Sequence, residues 1–159
     1  MRVVSLWLAG SLVFLLAAAG PLAAEETTLQ GTWALDVKAS KSVPEAQKGV
    51  DLRIATRDKQ MTITRLVGDK PLGEPMVLFL DGTSRPQEVG GQRATVVVKW
   101  LVPDRKFEHV ITMMQPGSVF ATTQTIVTEV SPTGSTMTRK YVVRQARDTQ
   151  ERLLVYRRK

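Results

Sequence analysis

The chain has 159 residues, 43% hydrophobic and 23% charged, with a formal charge of +7, no cysteine and a single histidine. This hydrophobicity excludes a disordered chain. The lack of cysteine excludes disulfide scaffolds, thiolate zinc sites and cysteine nucleophiles, and one histidine excludes paired-histidine metal motifs such as HExxH.

Residues 1–24 come first. Arg2 and the amino terminus supply a short positive region, and no charge follows until Glu25 and Glu26. The apolar heart covers residues 6–19, Gly20-Pro21 breaks it, and Leu22-Ala23-Ala24 presents a small residue for cleavage. This order predicts a secretory signal cut after Ala24. An uncleaved anchor needs about 20 apolar residues, and Gly20-Pro21 ends the run short of that. Residues 25–159 are then a single mature domain, placed in the periplasm or outside the cell. They contain no further run long enough to span a bilayer.

The mature chain alternates and turns. Residues 29–37 open it, with Trp33, Leu35 and Val37 on one face. Residues 39–48 form a loop around Pro44 with room for a short helical turn. Val50–Arg57 alternates cleanly and turns at Asp58-Lys59 into Gln60–Val67, where Met61, Ile63 and Arg65 share a face. Residues 75–80 run into Asp81-Gly82, a hairpin-turn dipeptide. Arg85–Val89 is a short candidate before Gly90-Gly91. Residues 93–102 set Val96, Val98 and Trp100 against Val97, Lys99 and Leu101. Lys106–Met114, residues 118–130, residues 136–147 and residues 151–157 follow, separated by Pro103-Asp104, Pro116-Gly117, Pro132-Thr133-Gly134 and a turn near Asp148. Tight turns between consecutive strands require antiparallel neighbours. With no helix to cover them, the strands must bury one face against each other. The predicted fold is therefore all-β, an antiparallel up-and-down barrel of about eight or nine strands, with a two-sheet sandwich as the alternative.

Leu29-Gln30-Gly31-Thr32-Trp33 carries a family resemblance. A Gly-x-Trp in the first strand after an exported terminus resembles the calycin superfamily, which includes lipocalins and avidins. The resemblance implies that Trp33 plugs the barrel floor beside Gly31 and that an Arg from a late strand covers the ring, with Arg144, Arg147 and Arg157 as candidates. The longer Gly31-Thr32-Trp33-Ala34-Leu35-Asp36 with Ser40 and Ser42, together with Leu80-Asp81-Gly82 and residues 131–139, resembles small secreted bacterial lipocalin-like proteins. That group implies a fold and no particular reaction. The lipocalin Thr-Asp-Tyr motif is missing. The Asn and Tyr that follow this Trp in avidins are replaced around Ala34 and Leu35, so biotin binding is not carried over.

Charge is uneven. Residues 25–138 hold 13 bases and 13 acids, whereas residues 139–159 hold eight bases and two acids. Arg144, Arg147, Arg152, Arg157, Arg158 and Lys159 are therefore candidates for contact with an anionic surface such as phospholipid or lipopolysaccharide. The competing reading is an edge strand protected by charge. A turn near Asp148 would bring Arg144 and Arg152 close together. Nucleic acid is not an expected partner, because export removes it and aromatic residues are sparse around these bases.

Strand parity places His109 with Phe107, Ile111 and Met113. It is either a ligand-contacting group in a cavity or a hydrogen-bonded histidine at the core margin. Arg65 and Arg139 either point inward as carboxylate or phosphate anchors or mark strand ends where the apolar parity breaks. Tyr141 shares the Arg139 face and offers a hydroxyl. Trp100 is either a core plug or a ligand platform. No base–nucleophile pair, Gly-x-Ser-x-Gly elbow, metal-ligand spacing or calcium loop occurs, so neither catalysis nor a cofactor is expected. The leading functional expectation is a non-catalytic barrel for a small apolar or amphiphilic molecule, with Arg65, Trp100, His109, Arg139 and Tyr141 as candidate contacts. The alternative is an envelope scaffold that docks through its basic closing hairpin.

Overall fold

Apolar and polar residues alternate along most of residues 29–159, the period of a strand with one buried face. The computed structural model describes residues 29–114, 117 and 120–159. The export segment expected at residues 1–24 lies outside the described residues.

The strands are β1 (Gly31–Leu35), β2 (Val50–Arg57), β3 (Gln60–Val67), β4 (Lys70–Pro71), β5 (Met76–Phe79), β6 (Arg85–Val89), β7 (Gln92–Val102), β8 (Lys106–Met114), β9 (Ala121–Val130), β10 (Thr136–Gln145) and β11 (Asp148–Arg158). They form one 11-stranded antiparallel sheet in the order β4-β3-β2-β1-β11-β10-β9-β8-β7-β6, with β5 also on β3. The sequence suggests fewer strands because β4 is only two residues long. It folds back on β3 after the Gly68-Asp69 turn, and its Pro71 sits where an edge strand tolerates a missing N–H. The only helical turn among the described residues is Glu45–Gln47, just after Pro44. None of the described helices is long and apolar enough to cross a membrane.

Among the described residues no ladder joins β4 or β5 to β6, so the ring has a seam. β5 lies against β7. One end of the seam is closed by side chains: the Arg85 guanidinium carbon stands 4.0 Å over the Phe79 ring, and its Nη2 is 2.6 Å from Asp81 Oδ2. Asp81-Gly82 is therefore not a hairpin turn, contrary to the sequence expectation. Asp81 instead accepts from the Thr83 hydroxyl at 2.6 Å and the Thr83 backbone at 3.0 Å. Thr83 and Arg85 together hold its carboxyl down at about 2.

The last hairpin also differs from expectation. Gln145 pairs with Asp148, so Ala146-Arg147 is the turn, and Ala146 takes φ 51. Arg144 then faces Thr149 and Arg152 faces Tyr141. The two arginines are three residues out of register, roughly 10 Å along the strand, and do not oppose each other.

At the floor, Trp33 is fully buried and donates its Nε1–H to the Leu29 carbonyl at 3.0 Å. Its cover is Arg158, not Arg144, Arg147 or Arg157. Register decides this: Trp33 pairs directly with Arg158, and paired residues share a face. The guanidinium carbon sits 4.4 Å from the ring centroid. It is fixed there by donating to the Gln30 carbonyl and the Gly134 carbonyl, each at 2.7 Å. Gly31 has φ 132, and a Cβ there would stand 2.8 Å from Arg158 Nη1. Gly31→Ala is therefore expected to cost about 1–3 kcal/mol in backbone strain and to push the guanidinium off the indole. Denaturant titration and the Trp33 emission maximum would read both effects.

The rest of the opening motif is also structural. The Ser40 hydroxyl donates to the Asp36 carbonyl at 2.6 Å and accepts from Val155 N at 2.9 Å. Lys41 bridges to Leu153. The loop after β1 is thereby tied to the outside of β11.

Candidate functional site

The inward positions of β8 to β11 are less apolar than those of β2 and β3. They carry His109 on β8, Gln124 on β9, Arg139 and Tyr141 on β10 and Tyr156 on β11. All five line one cavity of about 620 Å³, within the roughly 300–1,000 Å³ typical of small-molecule sites. Val50, Leu52, Ile63 and Met76 line it from β2, β3 and β5. The barrel is hollow. Its mouth lies where the seam is open, with Gly73 and Glu74 before β5 and Glu88, Gly90 and Gly91 around the β6–β7 turn.

Arg139 is the second inward position from the floor end of β10 and is only 6% exposed. Its guanidinium carbon lies 5.3 Å from the Tyr141 ring centroid, and its charge acts on the Tyr156 hydroxyl. Its Nε has no hydrogen-bond partner among the described residues. Among the described residues no carboxylate pairs with it. A buried guanidinium without a counter-charge is costly, which makes this end of the cavity a place for an anion. Burial, with Tyr141 adding to it, pushes the Tyr156 hydroxyl well above its usual range against the opposing pull of Arg139. Tyr156 is therefore a neutral hydroxyl with a proton to donate.

His109 is fully buried and stacks on Phe107 at 5.7 Å and 23°. Neither ring nitrogen has a hydrogen-bond partner among the described residues, and His109 lines the cavity. Burial first, and the Arg139 charge second, hold it well below the usual imidazole range. Because the folded state resists protonation, the unfolded chain takes up the extra proton as pH falls. Stability from this group is thus present above pH ~6.5 and declines below it, at up to ~1.4 kcal/mol per pH unit. Thermal melts between pH 7.5 and 5 are expected to show this decline, and His109→Leu to flatten it.

Arg65 lines the same cavity, but at its exposed rim, with its Nη2 3.4 Å from where a Gly73 Cβ would stand. Trp100 does not join this cavity. It packs edge-on to Phe107 at 5.7 Å and 72° and lines a separate depression of about 490 Å³ at the floor end, beside Asp58, Asp81 and Asp104. It is in register with Phe107 and packs against the core as a plug, and the register shift follows it, between Trp100 and Val102. Of the basic hairpin, Arg144 and Arg147 are exposed and Arg152 is half-buried. Arg157 pairs with Asp36 and Lys159 with Asp51, each at 2.7 Å, while Arg158 serves Trp33. Three of the six bases are thus committed within the fold. Sequence reasoning passed over Tyr156 and Gln124. Their inward parity on β11 and β9 was the available signal.

No protein-family model matches the chain, and no curated protein matches it at a significant level. Solved structures do match in fold. The Schistosoma mansoni fatty acid binding protein in complex with arachidonic acid is 21% identical with a TM-score of 0.55, over 84% of this chain and 97% of that one. Caenorhabditis elegans lipid binding protein 8 is 10% identical with a TM-score of 0.57, over 83% and 96%. The zebrafish ileal bile acid-binding protein complexed with cholic acid is 13% identical with a TM-score of 0.51, over 83% and 99%. The likeness is one of architecture: this chain shares the antiparallel up-and-down β-barrel fold of those structures.

Proposed function

We propose that the protein is an exported, non-catalytic binding protein that holds a small amphiphile with an acidic head in its barrel. The carrying observation is Arg139, buried in the cavity wall, with its Nε unpartnered and no carboxylate paired with it among the described residues. A carboxylate or phosphate there gains charge-assisted hydrogen bonds from Arg139 and a neutral donor in Tyr156. The tail buries apolar area against β2, β3 and β5 at about 25 cal/mol per Å². Support comes from fold neighbours whose structures hold arachidonic acid and cholic acid. The Gly-Thr-Trp-Ala-Leu-Asp opening places the chain, in this reading, with small secreted bacterial lipocalin-like proteins, and the residues before Glu25 direct export. Native mass spectrometry of the protein from the periplasmic fraction of its host is the test. The expected result is a chain beginning at Glu25 that carries a bound acid. A chain that carries nothing, and binds neither palmitate nor an alkyl phosphate, overturns the reading.

A further inference from the structure

The barrel has two unlike walls. In the strand order β2 and β3 lie across the ring from β8 and β9. The β2–β3 wall of the cavity presents Val50, Leu52 and Ile63, with Arg65 only at the exposed rim. The opposite wall carries His109, Gln124 and Tyr141 above Arg139, with Ile111 and Ile126 among them. Two threonines of the same inward parity on β9, Thr122 and Thr128, add buried hydroxyl oxygens with no partner, as are both nitrogens of His109. Buried polar atoms are nearly always hydrogen-bonded, and among the described residues five of the seven exceptions lie on β8, β9 and β10, the other two being Gln47 Oε1 and Arg105 Nε. A straight hydrocarbon tail would meet such a wall poorly, because each polar group it covered would lose hydrogen-bonding opportunities and gain none.

We propose that the ligand is a rigid, facially amphiphilic acid: an anionic group at Arg139, hydroxyl or carbonyl groups along the face toward β8 and β9, and an unbroken apolar face toward β2 and β3. This rests on the binding-protein reading and narrows its ligand class. A neutral imidazole offers one donor and one acceptor, so His109 can read a hydroxyl in either sense. Gln124 does the same nearer the mouth.

Titration calorimetry with cholate and palmitate separates the two claims. Cholate has a carboxylate and hydroxyls on one face, whereas palmitate has only the carboxylate. The proposal expects cholate to bind at least ~10-fold more tightly, about 1.4 kcal/mol. His109→Leu and Gln124→Leu should each lower the cholate-to-palmitate affinity ratio several-fold. The comparison on the unaltered protein needs no variant to fold, and Gln124→Leu alters a residue that is not fully buried. Palmitate binding as tightly as cholate, or an unchanged ratio in both variants, overturns this inference and leaves the binding-protein reading standing. Binding of neither acid overturns both.

Discussion

Arg139→Leu is expected to leave the fold as stable as before, or more so by about 1–3 kcal/mol, while weakening a bound acid by 100-fold or more. The two effects have one cause. Arg139 is 6% exposed, its Nε lacks a partner, and among the described residues no acid answers its charge. Desolvating the guanidinium is a cost that the apolar core does not return, and a leucine in its place removes that cost. For the ligand the sign reverses. Truncating one partner of a buried, hydrogen-bonded charge pair costs about 2–5 kcal/mol, and 2.7 kcal/mol is already about 100-fold. Arg139→Lys keeps the charge but loses the planar fork, so its affinity should fall between the two. Denaturant melts and calorimetry with palmitate, run on the same preparations, check both halves. A leucine variant that unfolds would assign Arg139 to the scaffold instead of the site.

Such a trade of stability for binding explains why the fold was easier to read in the sequence than the site. Strand existence follows from local alternation: Val50, Leu52 and Ile54 against Asp51, Arg53 and Ala55 leaves little choice. His109, Arg139 and Tyr141 were placed on inward faces by that same parity, and the structure brings them into one cavity. What parity does not carry is register between strands distant in sequence. Trp33 meets Arg158 because β1 pairs with β11, a contact between the first and last strands whose register no local pattern fixes, so the sequence offers Arg144, Arg147 and Arg157 instead. Parity also fails to fix depth along the barrel. Arg65 reaches only the exposed rim of the cavity, and Trp100 packs against the core at the floor end, just before the shifted β7–β8 register. The Asp81-Gly82 dipeptide signals a hairpin locally, yet β5 finds β3 as its partner and β6 finds β7. Whether the interior is hollow depends on the sum of side-chain volumes around a closed ring, and no local pattern reports that sum.

Trp33→Ala is expected to be the most destabilising single substitution in the barrel, at about 3–5 kcal/mol. The indole is fully buried, at 0% exposure. Removing it opens a void at the floor, where the tied Arg158 and the Leu29 backbone leave little room for collapse. The Leu29 carbonyl loses the indole N–H that it accepts at 3.0 Å. Arg158, held 4.4 Å above the ring, then covers empty space with its charge instead of an aromatic face. Trp33→Phe separates these contributions. It keeps most of the apolar volume and a ring beneath the guanidinium, so it should cost less than half as much, the remainder being the lost hydrogen bond and the smaller ring. Arg158→Met isolates the cation over the face, an interaction of ~0.5–2 kcal/mol. Urea unfolding of the three variants orders them as Trp33→Ala well below Trp33→Phe and Arg158→Met. Near-equal loss for Trp33→Ala and Arg158→Met would instead make the guanidinium tie between the Gln30 and Gly134 carbonyls, and not the indole, the element that closes the floor.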